Sequence, residues 1–204
     1  MGYDFELEDK KGKRIKILRF IIVTIIEIAL VVLAAFLITY FGLEKMQVTG
    51  DSMSPTLSEG DTILINKMSY RLHSVKRNDV VVVQQSGMEH NYYTIERVIG
   101  LPGEKIKICE GVVYIDGKEL KEKYDFPLME NGGLAIEEIT LDDDEYFMLC
   151  DNRNECEDSR NANIGNIFKS DIVGKAWLRT DSWALIGSIN NFDKDKSSKD
   201  TSSK

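Results

Sequence analysis

The longest apolar run in the chain lies near its N-terminus and predicts a membrane-spanning helix. Between Phe20 and Phe41 the sequence is almost wholly Ile, Leu, Val, Ala and Phe. As a helix this run is about 33 Å long, at about 1.5 Å per residue, which is enough to cross a hydrocarbon core of about 30 Å. It exceeds the apolar core of a cleaved signal peptide, which is about 7–15 residues long.

The charges that flank this run predict its orientation. Lys and Arg residues cluster between residues 10 and 19, directly before the apolar run. Basic residues are retained on the cytoplasmic side of a membrane. We therefore expect residues 1–19 to be cytoplasmic, 20–41 to span the bilayer, and the chain after Gly42 to lie outside the cytoplasm at the cell membrane.

Beyond the span the pattern changes to short β-branched runs and alternating apolar positions, which indicate strands. Glu110-Gly111 and Asp116-Gly117 are typical hairpin turns. The pattern predicts an antiparallel, all-β domain over residues 45–192, carried on a single N-terminal transmembrane helix. Tyr124–Asp144 is expected to be loop, and the charged, Ser-rich residues 193–204 to be disordered. The predicted strands are Thr62–Lys67, Asp79–Gln84, Tyr92–Ile99, Lys105–Ile108, Val112–Ile115, a short piece after Gly117, Glu145–Leu149 and Ile172–Arg179.

Composition narrows the function classes. The net charge of −8 argues against a nucleic-acid partner, which would require a basic surface. Three Cys do not make a disulfide framework. The sequence has no metal-ligand spacing and no Gly-rich phosphate loop, so we expect neither a metal nor another cofactor.

A candidate nucleophile follows the apolar run. Ser52 lies between Gly50, whose backbone can adopt angles closed to other residues, and Pro55, which stiffens the exit of the turn. A Ser in a single Gly-Asp-Ser turn is usually only a solvated turn residue. The turn alone therefore does not identify Ser52 as a nucleophile, and further segments of the chain are needed.

Four separated segments of the chain form a set: Gly50–Leu57 (GDSMSPTL), Lys76–Val83 (KRNDVVVV), Arg97–Glu104 (RVIGLPGE) and Asp151–Arg160 (DNRNECEDSR). Together they resemble the type I signal peptidases, in particular the single-span form of Gram-positive bacteria. They occur in the family's order and at its spacing, and the N-terminal span and the all-β domain fit the same family. The resemblance covers most of residues 45–174.

The resemblance implies a membrane-anchored serine endopeptidase that cleaves signal peptides from secretory preproteins beside the lipid bilayer. In this family a neutral Lys takes the proton of the nucleophilic Ser, which needs such a base to react. By resemblance Ser52 is the nucleophile, its own backbone N–H helps to stabilise the oxyanion, and Met53 lies near the substrate cleft. Gly50, Asp51 and Arg97 belong to the matching segments.

The sequence departs from the family at the position of the general base. The family's Lys immediately precedes the Arg of the third segment, and here that residue is Glu96. Two further positions that pack beside the Lys are Cys150, where the family has Gly, and Cys156, where bacterial members often have Ser. By contrast, Asp151, Arg153, Asp158 and Arg160 fit the pattern. Three changes around one pocket indicate that the pocket itself differs.

Three interpretations of this pocket remain open from the sequence. Glu96 itself could be the base, since shielding from water raises the pKa of a carboxyl group. Ser52 could be unactivated, which would make the chain a paralogue that binds signal peptides, or regulates a peptidase, without cutting. Another base could be supplied by His90, Lys105 or Lys107. However, His90 lies in a polar turn, and the two Lys alternate with Ile, which predicts that they face solvent.

Three structural expectations complete the sequence picture. Asp151, Arg153, Asp158 and Arg160 could form an ion-pair network that fixes a loop beside the site. Cys150 and Cys156 could be disulfide-bonded or could be separate thiols, because the sequence does not give their distance. Met53 and Leu57, together with Met46, are expected to form an exposed apolar patch near Ser52.

Overall fold

The computed structural model describes residues 3–86, 91–122 and 124–188. Two sequence interpretations, the turn that contains His90 and the disordered tail 193–204, lie outside these residues. The chain divides into two compact units, residues 1–42 and residues 43–204.

The first unit is one helix, α1, over Tyr3–Gly42. Its stretch Arg14–Leu37 is long and apolar enough to cross a membrane. The predicted helix is therefore confirmed, and it extends well beyond residues 20–41 on its N-terminal side.

The second unit is built almost entirely from antiparallel strands, as the sequence predicts. Its only α-helix among the described residues is the single turn α2, Ser69–Leu72. Both predicted hairpin turns are present, with positive φ at Glu110, Gly111, Asp116 and Gly117. The strands are β1 Leu43–Gln47, β2 Thr62–Asn66, β3 Val80–Ser86, β4 Asn91–Gly100, β5 Lys105–Cys109, β6 Val112–Ile115, β7 Lys118–Glu119, β8 Ile139–Thr140, β9 Glu145–Leu149, β10 Ile167–Phe168, β11 Ile172–Arg179 and β12 Ala184–Leu185.

The strands form two sheets. The larger has the order β1-β2-β11-β3-β4-β9-β10, with β12 paired to β11, and the smaller has the order β7-β6-β5-β8. In the larger sheet β11 lies between β2 and β3, although these two strands are neighbours in sequence. The two sheets meet at Gly100, where a Cβ would lie 2.8 Å from side-chain carbons of Ile106 and Leu141.

The register of the larger sheet positions the site. Glu96 on β4 pairs with Val81 on β3, and Arg97 pairs with Leu149, the last residue of β9. Glu96 precedes Arg97 on β4, and Cys150 follows Leu149 at the end of β9. Because the two strands are antiparallel, Glu96 and Cys150 lie beyond the same end of the Arg97–Leu149 pair. The end of β9 therefore delivers the fourth segment of the sequence beside Glu96.

Several short elements were not predicted. β1, α2, β10 and β12 have no strong sequence pattern, and the stretch Tyr124–Asp144, expected to be loop, contains the two-residue strand β8 and one 3-10 turn. β1 has no β-branched residue. It forms because its five residues pair with all five residues of β2.

Candidate active site

Ser52 lies in the turn between β1 and β2. The turn is closed by the Ser54 N–H, which donates to the Asp51 carbonyl at 3.0 Å, and by the Leu57 N–H, which donates to the Met53 carbonyl at 2.9 Å. Gly50 has φ +75°, an angle that strains other L-residues. Ser52 is half-buried, and its hydroxyl and backbone N–H make no hydrogen bond with the described residues. Both groups are therefore available to a substrate.

The expected apolar patch beside Ser52 is wrong for two of its three residues. Met53 and Leu57 have no exposed surface, because both are packed into the core with Ile63 and Val80. They anchor the turn from beneath. Met46 is half-buried and does line the cleft next to Ser52.

The turn that carries Ser52 is fastened to the fourth segment. The Asn152 backbone N–H donates to the Ser52 carbonyl at 3.0 Å, and the Asn152 side chain donates to the Asp51 carbonyl at 3.3 Å. The buried Thr56 hydroxyl donates to the Asp151 carboxylate at 2.5 Å. Sequence reasoning missed Thr56 and Asn152 as positioning residues, although both lie within the matching segments.

Arg97 and Asp151 form a buried ion pair beneath the turn. The Arg97 guanidinium donates to both Asp151 oxygens, at 2.6 and 2.5 Å, and each residue is 1% exposed. Burial alone would lower the pKa of Arg97, but the hydrogen bonds and charge of Asp151 raise it above its ordinary value. The guanidinium also lies over the Tyr124 ring, 5.1 Å from its centroid. This pair holds the third and fourth segments together.

The remaining charged residues of the fourth segment do not form the single network that was expected. Arg160 pairs with Asp158 at 2.8 Å and donates to the Arg153 carbonyl. Arg153 pairs instead with Glu122 and donates to the Cys150 carbonyl at 2.9 Å. These contacts fix the loop, and none of them uses Ser52 or Glu96.

Glu96 is 1% exposed and has no cationic partner among the described residues. Its Oε1 accepts hydrogen bonds from the Thr94 hydroxyl at 2.9 Å and from the Gln85 amide at 3.2 Å. Its Oε2 accepts none. Burial raises the pKa of Glu96 to about 7; the charge of Asp158 adds to the increase, and the hydrogen bonds from Thr94 and Gln85 oppose it.

Cys150 and Cys156 form a disulfide with a Cα–Cα distance of 6.5 Å. This resolves the alternative that the sequence left open. Together with Asp158 the two sulfurs make a close cluster of potential metal-ligand atoms. Because both sulfurs are used in the disulfide, the cluster offers no thiolate to a metal.

Ser52 and Glu96 line one cleft of about 300 Å³, and Cys156 contributes to its wall. Cys150 is buried behind it and reaches the cleft only through the disulfide. Lys105 and Lys107 are exposed on β5, as expected, and neither lines the cleft. The site thus combines a free hydroxyl with a shielded carboxyl group, which are the two components needed for nucleophilic acyl transfer.

Comparisons with known proteins identify the family of this chain. The family described as "Signal peptidase, peptidase S26" matches residues 21–182. Probable signal peptidase I-1 of Synechocystis sp. is 32% identical over 164 residues, which are 76% of this chain and 81% of the relative. Signal peptidase I P of Bacillus subtilis subsp. natto is 34% identical over 154 residues, 72% of this chain and 81% of the relative.

A solved structure, a signal peptidase I from Enterococcus faecalis, resembles half of this chain at 26% identity and a TM-score of 0.41, and the match covers 97% of that structure. The assignment to a family rests on the sequence matches alone. The family match extends from residue 21 in the apolar helix to residue 182 in the β domain, and it includes all four segments. This chain belongs to the signal peptidase family, peptidase S26.

Proposed function

We propose that this protein is a membrane-anchored serine endopeptidase that removes N-terminal signal peptides from secretory preproteins, with Ser52 as nucleophile and Glu96 as general base. Membership of the signal peptidase family supports the reaction and the substrate class. The observation that carries the assignment of residues is the shared cleft. Ser52, whose hydroxyl makes no hydrogen bond with the described residues, and Glu96, a buried carboxyl group with one unpaired oxygen, both line this cleft of about 300 Å³.

The first half of the reaction forms an acyl-enzyme. The ionised Glu96 carboxylate takes the Ser52 hydroxyl proton while Oγ bonds to the scissile carbonyl carbon. With a pKa of about 7, roughly half of the Glu96 carboxyl groups are ionised at neutral pH. The Ser52 backbone N–H, which makes no hydrogen bond with the described residues, donates to the oxyanion. When the C–N bond breaks, protonated Glu96 returns its proton to the leaving amine.

The second half releases the signal peptide. Glu96, ionised again, takes a proton from water, and the resulting hydroxide adds to the acyl carbon. The ester bond then breaks, and the proton returns to Ser52 Oγ. The protein is unchanged, and one peptide bond and one water have been consumed.

A preprotein cleavage assay with purified full-length protein in detergent tests this assignment. We expect wild type to cleave, and Ser52→Ala and Glu96→Gln each to fall to background, because an amide cannot accept the proton. The matched control is Glu137→Gln, which makes the same change at an exposed residue away from the cleft. Equal background rates for wild type and Ser52→Ala, with signal-peptide binding retained, would identify a binding paralogue. A Ser52-dependent rate that survives Glu96→Gln would remove Glu96 from the mechanism.

We further propose the orientation in the membrane. α1 anchors the chain with a single pass, residues 1–19 are cytoplasmic, and the β domain over residues 45–192 is extracytoplasmic. The basic cluster before the apolar run supports this orientation. Protease added to intact cells should digest the β domain and spare the first residues, and a protected β domain would reverse the topology.

A further inference from the structure

The cleft beside Ser52 is lined by acidic groups. Four carboxyl groups face it, those of Asp51, Glu96, Glu155 and Glu157, and no Lys, Arg or His is among the described residues that line it. Asp51, Glu155 and Glu157 are exposed and form no ion pair with the described residues. Their negative charge is therefore not neutralised by the protein.

Glu155 and Glu157 are held at the cleft by covalent structure. They flank Cys156, whose disulfide to Cys150 ties this short loop to the end of β9. The Glu155 N–H also donates to the Asn152 carbonyl at 3.2 Å, and Asn152 in turn holds the Ser52 turn. The backbone that carries the two glutamates is thus tied to the turn that carries Ser52.

Glu96 differs from the other three acidic residues because it is buried. It is 1% exposed, it lines the same cleft, and its Oε2 has no hydrogen-bond partner. A buried carboxylate oxygen without a donor leaves a hydrogen bond unmade, which is costly. A cationic group of a substrate in the cleft would interact favourably with the negative charge of ionised Glu96.

We propose that this cleft selects substrates with a Lys or Arg side chain within a few residues of the scissile bond. The exposed carboxylates of Glu155 and Glu157 attract the cation, and Glu96 lies deeper in the same cleft. The cation also favours the ionised form of Glu96, which is the form that accepts the Ser52 proton. This inference rests on the proposed function, because it names the substrates of the same site.

Binding measurements separate this selectivity from catalysis. Full-length Ser52→Ala protein in detergent is titrated with fluorescent signal-peptide peptides that differ only by Lys, Gln or Glu on either side of the scissile bond. We expect the Lys peptide to bind about tenfold more tightly than the Glu peptide, with the difference reduced by salt. In the background Glu155→Gln/Glu157→Gln the preference should disappear. The control pair Glu110→Gln/Glu137→Gln, exposed residues of another surface hollow, should retain it.

The possible outcomes are distinct for the two proposals. Equal affinity for the three peptides, no measurable binding of any of them, or a Lys preference that survives Glu155→Gln/Glu157→Gln would overturn the cationic selectivity. Cleavage by wild type without any charge preference would leave the proposed function standing and the selectivity wrong. A Lys preference in binding without any Ser52-dependent cleavage would leave the selectivity standing and show that the proposed function is wrong.

Discussion

Glu96 and Arg97 are consecutive residues of opposite charge, each is 1% exposed, and yet they do not pair with each other. Successive side chains of a strand point to opposite faces of the sheet, so the two residues on β4 serve different sets of neighbours. Arg97 is bound by Asp151 on its face. Glu96 receives only two neutral hydrogen-bond donors on the other face, which explains why burial dominates its pKa.

The first prediction concerns the pH dependence of cleavage. A general base must be ionised, and burial raises the pKa of Glu96 to about 7. The value of kcat/KM should therefore rise with pH, reach half of its maximum near pH 7, and level off above it. An acidic limb near the ordinary carboxyl pKa of 4.5 would show that Glu96 is solvated in the working enzyme.

The second prediction concerns the free energy of unfolding. The pKa of Glu96 is raised in the folded chain, from 4.5 to about 7, so the folded state keeps its proton longer than the unfolded state as the pH rises. The contribution of Glu96 to stability is complete below pH 4.5 and is lost by about pH 7. As the pH rises through this window, the free energy of unfolding of Glu96→Gln should therefore increase relative to that of wild type, by up to about 3 kcal/mol.

Urea unfolding of the full chain in detergent, followed by Trp fluorescence, measures this difference. Trp177 and Trp183 both lie in the β domain and report on it. The control is Glu137→Gln, which makes the same change at an exposed residue away from the cleft. A constant difference between Glu96→Gln and wild type from about pH 4 to about 8 would contradict the raised pKa.

The third prediction concerns the buried ion pair. Arg97→Ala leaves the Asp151 carboxylate, which is 1% exposed, without its cation. Loss of one member of a buried pair costs about 3–5 kcal/mol of unfolding free energy. Lys105→Ala removes one member of the exposed Lys105–Glu138 pair and should cost about 0–1 kcal/mol. Equal effects of the two changes would show that the Arg97 pair is hydrated in solution.

The fourth prediction concerns the exchange of one base for another. Glu96→Lys alone should give little activity, because Lys is longer than Glu and Cys150 adds a side chain where the family has none. Removing the disulfide in the triple variant Glu96→Lys/Cys150→Gly/Cys156→Ser should give much more. The three residues lie around one pocket, so the effects of the three substitutions on kcat/KM should be strongly non-additive. Comparison of kcat/KM for the two variants checks this, and equal values would show that the disulfide does not restrict the site.

Much of the fold follows from local patterns in the sequence. The apolar run and the β-branched runs locate α1 and the longer strands, and the Gly-containing turns locate the β5–β6–β7 hairpins. The smaller strands could not be found this way, because β1 and β12 form only through pairing with β2 and β11. A pairing partner that is distant in sequence leaves no local pattern.

The sequence predicts which residues belong to the candidate site better than it predicts their burial and the distances between them. The four segments identify Ser52, Glu96 and Asp151. They do not reveal that Met53 and Leu57 face inward, because the Ser52 turn buries its apolar side chains beneath itself. The disulfide was undecided for a similar reason, since its formation depends on the distance between two loop residues, which only the folded chain defines.

The position of β11 in the larger sheet determines how late in synthesis that sheet can be completed. β11 separates β2, which follows the Ser52 turn, from β3 and from β4, which carries Glu96. A chain that ends at Ser170 contains Ser52 and Glu96 but lacks β11, the strand that joins β2 to β3 in the larger sheet. The larger sheet that carries the proposed nucleophile and base is therefore continuous only after β11 has been synthesised.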